Sequence, residues 1–268
     1  MQLRRSTRAA LIVVAGVLVA QACAPHALAE NPQIAARRAA ERKSFSDNEI
    51  VTGFFKLAFG AELHVAGRVD RVRKYEVPVR VYIEGRPKPD RRAALAEVVA
   101  DIKRHVAHLD IAVTDSRSSA NVVVRLLRDR ELGRALRLAY GREPARRIQR
   151  SLEPQCLSGF RKDGDYRIVH SDVFLVVDAG EFTFLDCAYE ELLQALGPIN
   201  DDPSIPWTMF NDEVQMGFFG LFDQYILNIL YHPRIRAGMT RQQVQDLLPE
   251  ILPEVRSFVA EVNKLPAQ

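Results

Sequence analysis

Residues 187–209 read CAYEELLQALGPINDDPSIPWTM. Leu192, Leu193, Ala195 and Leu196 supply the packing side of a helix. Glu190 and Gln194, four residues apart, share another side, with Glu191 beside them. Gly197 permits the left-handed turn that ends such a helix, Pro198 prevents its continuation, and the chain then brings Asn200 back toward it. An acidic corner, Asn200-Asp201-Asp202, leads on to Met209. The stretch is a helix, a glycine stop, an acidic loop and a methionine.

Working outward, residues 166–178 (YRIVHSDVFLVVD) form a long apolar strand or strand pair ahead of this helix, turned by Ala179-Gly180. After Met209, residues 220–231 (GLFDQYILNILY) predict a second strongly apolar helix closed by His232-Pro233. A last helix, 241–262, is expected to be interrupted at Pro249 and Pro253. Upstream, Ile50, Phe54, Leu57 and Ala58 recur at helical spacing after Ser46, giving a helix over 47–59 closed by Gly60. Residues 77–84 (VPVRVYIE) alternate as a strand buried on one face, and a helix capped by Asp90 follows to about residue 109. Two strands then lie at 110–114 and 121–127. Strand, helix, strand, strand is the start of an α/β (α+β) sandwich with a mixed twisted sheet.

The glutamate helix also fits a known frame. Under the pattern H-E-x-x-H-x-x-G-x-x-H, the Glu falls on Glu191 and the Gly on Gly197, while the three histidine places hold Glu190, Gln194 and Asn200. EELLQALGPINDD, then SIPWTMF, then FDQYILNILYHP, is similar to the metzincin and matrixin order of active-site helix, methionine turn and a helix ending in Leu-Tyr. It resembles more closely the bacterial exported family named domain of unknown function 2927. That family carries Glu-Glu, Gln, Leu-Gly and Asn-Asp in these places, and the likeness covers roughly residues 45–239. The resemblance implies a zincin-like (metzincin-like) sandwich with a degenerate active-site helix, and makes Met209 the turn methionine.

Zinc takes imidazole, thiolate or carboxylate donors, and of the three substituted places only Glu190 offers a charge. Without the metal, water keeps a pKa near about 15.7 and Glu191 has nothing activated to deprotonate. The expectation is therefore no zinc, no cofactor, and no catalysis by the ancestral route. Glu191 and Glu190 stay as candidates for acid and base work without zinc, and the acidic corner as a candidate site for a hard cation. His105 and His108 share a face of the long helix, but Lys103 and Arg104 beside them predict an exposed helix end, and His64, His170 and His232 stand alone. No phosphate-cradling, dinucleotide, nucleophile-elbow or C-x-x-C signature is present.

Arg4, Arg5 and Arg8, an apolar run over 9–20 and Ala27-Leu28-Ala29 read as a signal peptide at 1–29, so the protein is expected to be exported, periplasmic or secreted. Lipid attachment at Cys23 is the alternative, although Ala20-Gln21-Ala22 is a poor lipobox. The run is shorter than a membrane span, and no later stretch comes close. The formal charge of +3 falls to zero without the three signal arginines, so a nucleic-acid partner is not expected. Residues 30–45 read as a flexible linker and 46–268 as one domain, within which Cys156 and Cys187 either pair, as export favours, or stay as buried thiols. Residues 128–150 hold eight arginines against three acids, the pattern of a helical hairpin broken near 141–144. Such a face is ordinarily solvated or paired with acids elsewhere; docking on an acidic partner or on lipid headgroups is the functional alternative. The partner expected for the fold as a whole is a peptide or protein in the cell envelope, held along a sheet edge.

Overall fold

The computed structural model describes residues 30–60, 70–151 and 155–266; the segment expected to be a signal peptide, Cys23 and His64 lie outside them. Residues 31–268 form one compact unit. Its centre is a five-stranded mixed sheet of order β2-β1-β3-β5-β4, with β1 Val79–Glu84, β2 Ile111–Val113, β3 Val122–Leu127, β4 Cys156–Lys162 and β5 Ile168–Val176. All neighbours run parallel except β4, which lies antiparallel to β5 on the edge, pairing Cys156 with Leu175 and Ser158 with Val173. Eight helices are present among the described residues.

The strands obey their period of two. In β5, Val173 and Leu175 face a large core, while Phe174 and Val176 face a second, smaller one. The large core takes the apolar faces of α2 Asp47–Leu57, α3 Arg92–His105, α6 Glu181–Gln194, α7 Leu221–Tyr231 and α8 Arg241–Val262. The small one is closed by α4 Asp129–Tyr140 and α5 Arg142–Ser151 through Leu132, Leu136, Ala145 and Ile148. Helices therefore cover both faces, as a largely parallel sheet requires.

Local signals account for most boundaries. Ser46 and Glu49 form a reciprocal capping box at the start of α2, and Thr240 and Gln243 do the same for α8. Three features depart from expectation. The stretch read as a linker carries α1, Pro32–Ala40, docked by buried Ile34 and by Arg37, whose Nε donates to the Gln215 carbonyl at 2.6 Å. The edge strand β4 had no clear signature, because CLSGFRK contains a central glycine and does not alternate. α8 is continuous through Pro249 and Pro253: both prolines are exposed, so the carbonyls they leave unbonded meet solvent, while Leu248, Ile251, Leu252 and Val255 bury the opposite side. No helix among the described residues is long and apolar enough to cross a membrane.

Candidate functional site

α6 starts at Glu181, after Gly180 at φ 105° turns the chain out of β5, and it lies along the edge strand. Cys187 and Gln194, seven residues apart on one side of the helix, both reach β4. Cys187 is disulfide-bonded to Cys156, with α-carbons 5.7 Å apart, and the Ser158 hydroxyl donates to Gln194 Oε1 at 3.3 Å. The expected bridge is thus present and ties the edge strand to the glutamate helix. Glu190 sits between these two ties, while Glu191 is buried with Leu192 and Leu193.

At the end of α6 the chain turns at Gly197, whose φ is +141° and where a β-carbon would stand 2.4 Å from the Arg73 carbonyl oxygen. Only glycine fits this close approach. The loop beyond distributes its polar residues in two directions. Asn200 turns toward α2, its Nδ2 donating to the Lys56 carbonyl at 2.9 Å. Asp201 turns toward α6, accepting from Gln194 Nε2 at 3.0 Å. Gln194 and Asp201 therefore meet, and Asn200 makes its hydrogen bonds elsewhere.

Carboxylate oxygens of Glu190, Asp201 and Asp212 lie within 4.8 Å of one another. Asp212 comes from a loop far along the chain, and nothing in its local sequence marks it. Burial, reinforced by Glu191, Asp201, Asp186 and Asp212, raises the Glu190 carboxyl well above its usual range. Such a cluster answers its own repulsion by taking up a proton or by holding a hard cation, for which oxygen donors are suited. Zinc is a poor fit for Glu190, Gln194 and Asn200, which offer one carboxylate and two amides, one of which faces away. The sign for Glu190 is that of an acid whose folded pKa is raised, so stability is lost as pH rises through that value. Glu190→Gln is expected to raise the melting temperature at pH 8 and leave it unchanged near pH 3, measured in chelator; an equal effect at both pH values would count against the electrostatic account.

Met209 is 1% exposed. Its amide donates to Asp223 Oδ2 at 3.1 Å, and the Thr208 hydroxyl donates to Oδ1 of the same carboxylate, which belongs to α7. Asp223 is fully buried, and burial pushes its carboxyl up to about 7, against the lowering effect of the two hydrogen bonds. Asp186 on α6 plays a similar part for the following loop, accepting from the amides of Met216 and Gly217 at 2.6 and 2.9 Å. Aspartates on two helices thus fix the whole connection from the acidic corner to α7. His105, expected at an exposed helix end, is only 19% exposed; its Nδ1 lies 3.2 Å from Asp101, which raises the imidazole pKa.

Residues 47–250 match the family model described as Protein of unknown function (DUF2927). The chain belongs to the DUF2927 family. No curated protein and no solved structure matches it. The DUF2927 span begins at α2, contains the entire sheet, the clamped α6 helix, Asp201, Asp212, Met209 and α7, and ends within α8. The glutamate cluster and both aspartate-held turns are therefore parts of the DUF2927 domain itself, whereas α1 precedes it.

Proposed function

We propose that this DUF2927 protein is an exported, zincin-like (metzincin-like) binding protein that does no zinc chemistry and holds an extended peptide or protein segment in the cell envelope. The observation that carries the reading is Gln194, whose oxygen and nitrogen are both engaged, by Ser158 on β4 and by Asp201. A place that a zinc ligand would occupy in the resembled peptidases serves here as a hydrogen-bonded strut between helix, edge strand and loop. Among the described residues no strand pairs with the outer side of β4, which leaves main-chain groups for an added strand. The disulfide is compatible with an oxidising compartment, in keeping with a periplasmic or secreted protein, or one lipid-anchored at Cys23.

Two measurements test this. The purified mature protein is expected to carry no stoichiometric zinc, to keep its fold in chelator and to cleave no peptide above background; one equivalent of tightly held zinc overturns the reading. A peptide selected from a displayed library is expected to lose binding when alternate amides are N-methylated, because strand addition rests on backbone hydrogen bonds.

A second reading is a hydrolase that uses Glu191 and Glu190 without zinc or with another metal. It is favoured by the raised Glu190 carboxyl and by the three carboxylates within 4.8 Å. Adjacent helix positions point about 100° apart, so Glu190 and Glu191 do not straddle a bond between them as a glycosidase pair does. Calcium or magnesium titration followed by calorimetry, with Asp212→Asn as control, separates this reading from the first.

A further inference from the structure

We propose that the α4–α5 hairpin is a docking face for a membrane surface rich in anionic phospholipid headgroups. The hairpin packs on the side of the sheet away from α6, through Leu132, Leu136, Ala145 and Ile148 against Leu157, Phe174 and Val176. Its remaining sides face solvent. With eight arginines and three acids it carries a formal excess of five positive charges in a mature chain whose net charge is zero.

Many arginines elsewhere in the fold are neutralised locally. Arg42, Arg80, Arg104, Arg125, Arg167 and Arg234 each meet a carboxylate at 2.5 to 3.2 Å. Arg130, Arg134, Arg137 and Arg142 are exposed, and no carboxylate among the described residues forms an ion pair with them. The hairpin's own acids are partly used for its architecture: Glu131 accepts the Arg128 amide at 2.9 Å, and Glu143 pairs with Arg146 at 3.0 Å. The pairing with acids elsewhere that the sequence allowed does not occur at these four positions.

Leu138 separates a lipid surface from an acidic protein as the partner. It is 78% exposed, more than Val77, Val113 or Val169, and lies in the last turn of α4 between Arg137 and the Arg142 that opens α5. An exposed apolar side chain on a basic hairpin matches the boundary between headgroups and acyl chains, where it buries apolar area while the arginines bind phosphates bidentately. Juxtaposed cations are attracted additively by such a surface.

The test is co-sedimentation of the purified mature protein with vesicles of equal parts phosphatidylglycerol and phosphatidylcholine, against phosphatidylcholine alone, at about 0.1 M salt. Binding to the anionic vesicles only is expected, falling at least ~tenfold for the variant Arg134→Gln/Arg137→Gln/Arg142→Gln. That variant is expected to melt with the unmodified protein, since exposed charges contribute little to folding. Leu138→Ser is expected to weaken binding with the charge intact. The proposal is overturned if the anionic vesicles sediment no protein, or if the triple variant folds and binds them equally. Binding to poly-glutamate without binding to the vesicles assigns the face to an acidic polypeptide and also overturns it.

Discussion

Near pH 4, where the buried carboxyl is protonated, Asp223→Ala is expected to lower stability by about 3–5 kcal/mol, because it leaves the Thr208 hydroxyl and the Met209 amide buried without an acceptor, at roughly 1–3 kcal/mol each, and adds a small cavity. In a domain of this size that is a fall in melting temperature of roughly 6–20 °C. The same carboxylate makes stability depend on pH. Its pKa is raised from 3.8 to about 7, so between those values the folded protein holds a proton that the unfolded chain has released. Stability is then unaffected by this group below 3.8 and declines as pH rises toward about 7, by on the order of 4 kcal/mol in all. Asp223→Asn removes the titration, and its unfolding free energy in urea at pH 5 and pH 8 should show a shallower fall than the unmodified protein's. Identical slopes would mean that the ionised carboxylate is tolerated, and that the pH dependence arises elsewhere.

Removing the Cys156–Cys187 bridge is the second large effect. The bond closes a loop across a sequence separation of 31, for which the chain-entropy argument gives about 3–4 kcal/mol. The bond also has a local role, since with Ser158–Gln194 it is one of two ties between edge strand and glutamate helix. Cys156→Ser/Cys187→Ser is expected to melt roughly 6–16 °C lower than the unmodified protein. It should also exchange the amides of β4 faster, while those of β3, inside the sheet, are much less affected. Free thiols titrating in the unreduced, denatured protein would show that the bridge does not form in solution.

These two residue sets were legible to different degrees before the structure was known. The disulfide could be anticipated from two cysteines and the expectation of export, and it is present. Asp223 is one of three polar residues, with Gln224 and Asn228, in a largely apolar helix, and its hold on the Met209 turn is a contact across 14 residues that no periodicity reveals. The same distinction runs through the fold. The helices and strands of the large core announce themselves because burial on one face imposes a period of 3.6 or 2 on the chain. β4 does not, since an edge strand with a central glycine owes its form to the neighbour it pairs with. α1 forms where charge and alanine content read as a linker, because Ile34 and Arg37 find partners supplied by distant residues.

The sequence by itself determined the α/β class, the likeness to DUF2927 and the glycine stop after the glutamate helix. Each depends on residue identity or on spacing within one element. Tertiary structure alone decided that Asn200 bonds to α2 while its neighbour Asp201 meets Gln194, and that Asp212 joins Glu190. It also decided which arginines go unpaired. In a loop, successive side chains leave the backbone in directions set by turns, and those turns are fixed by what the rest of the chain packs against them.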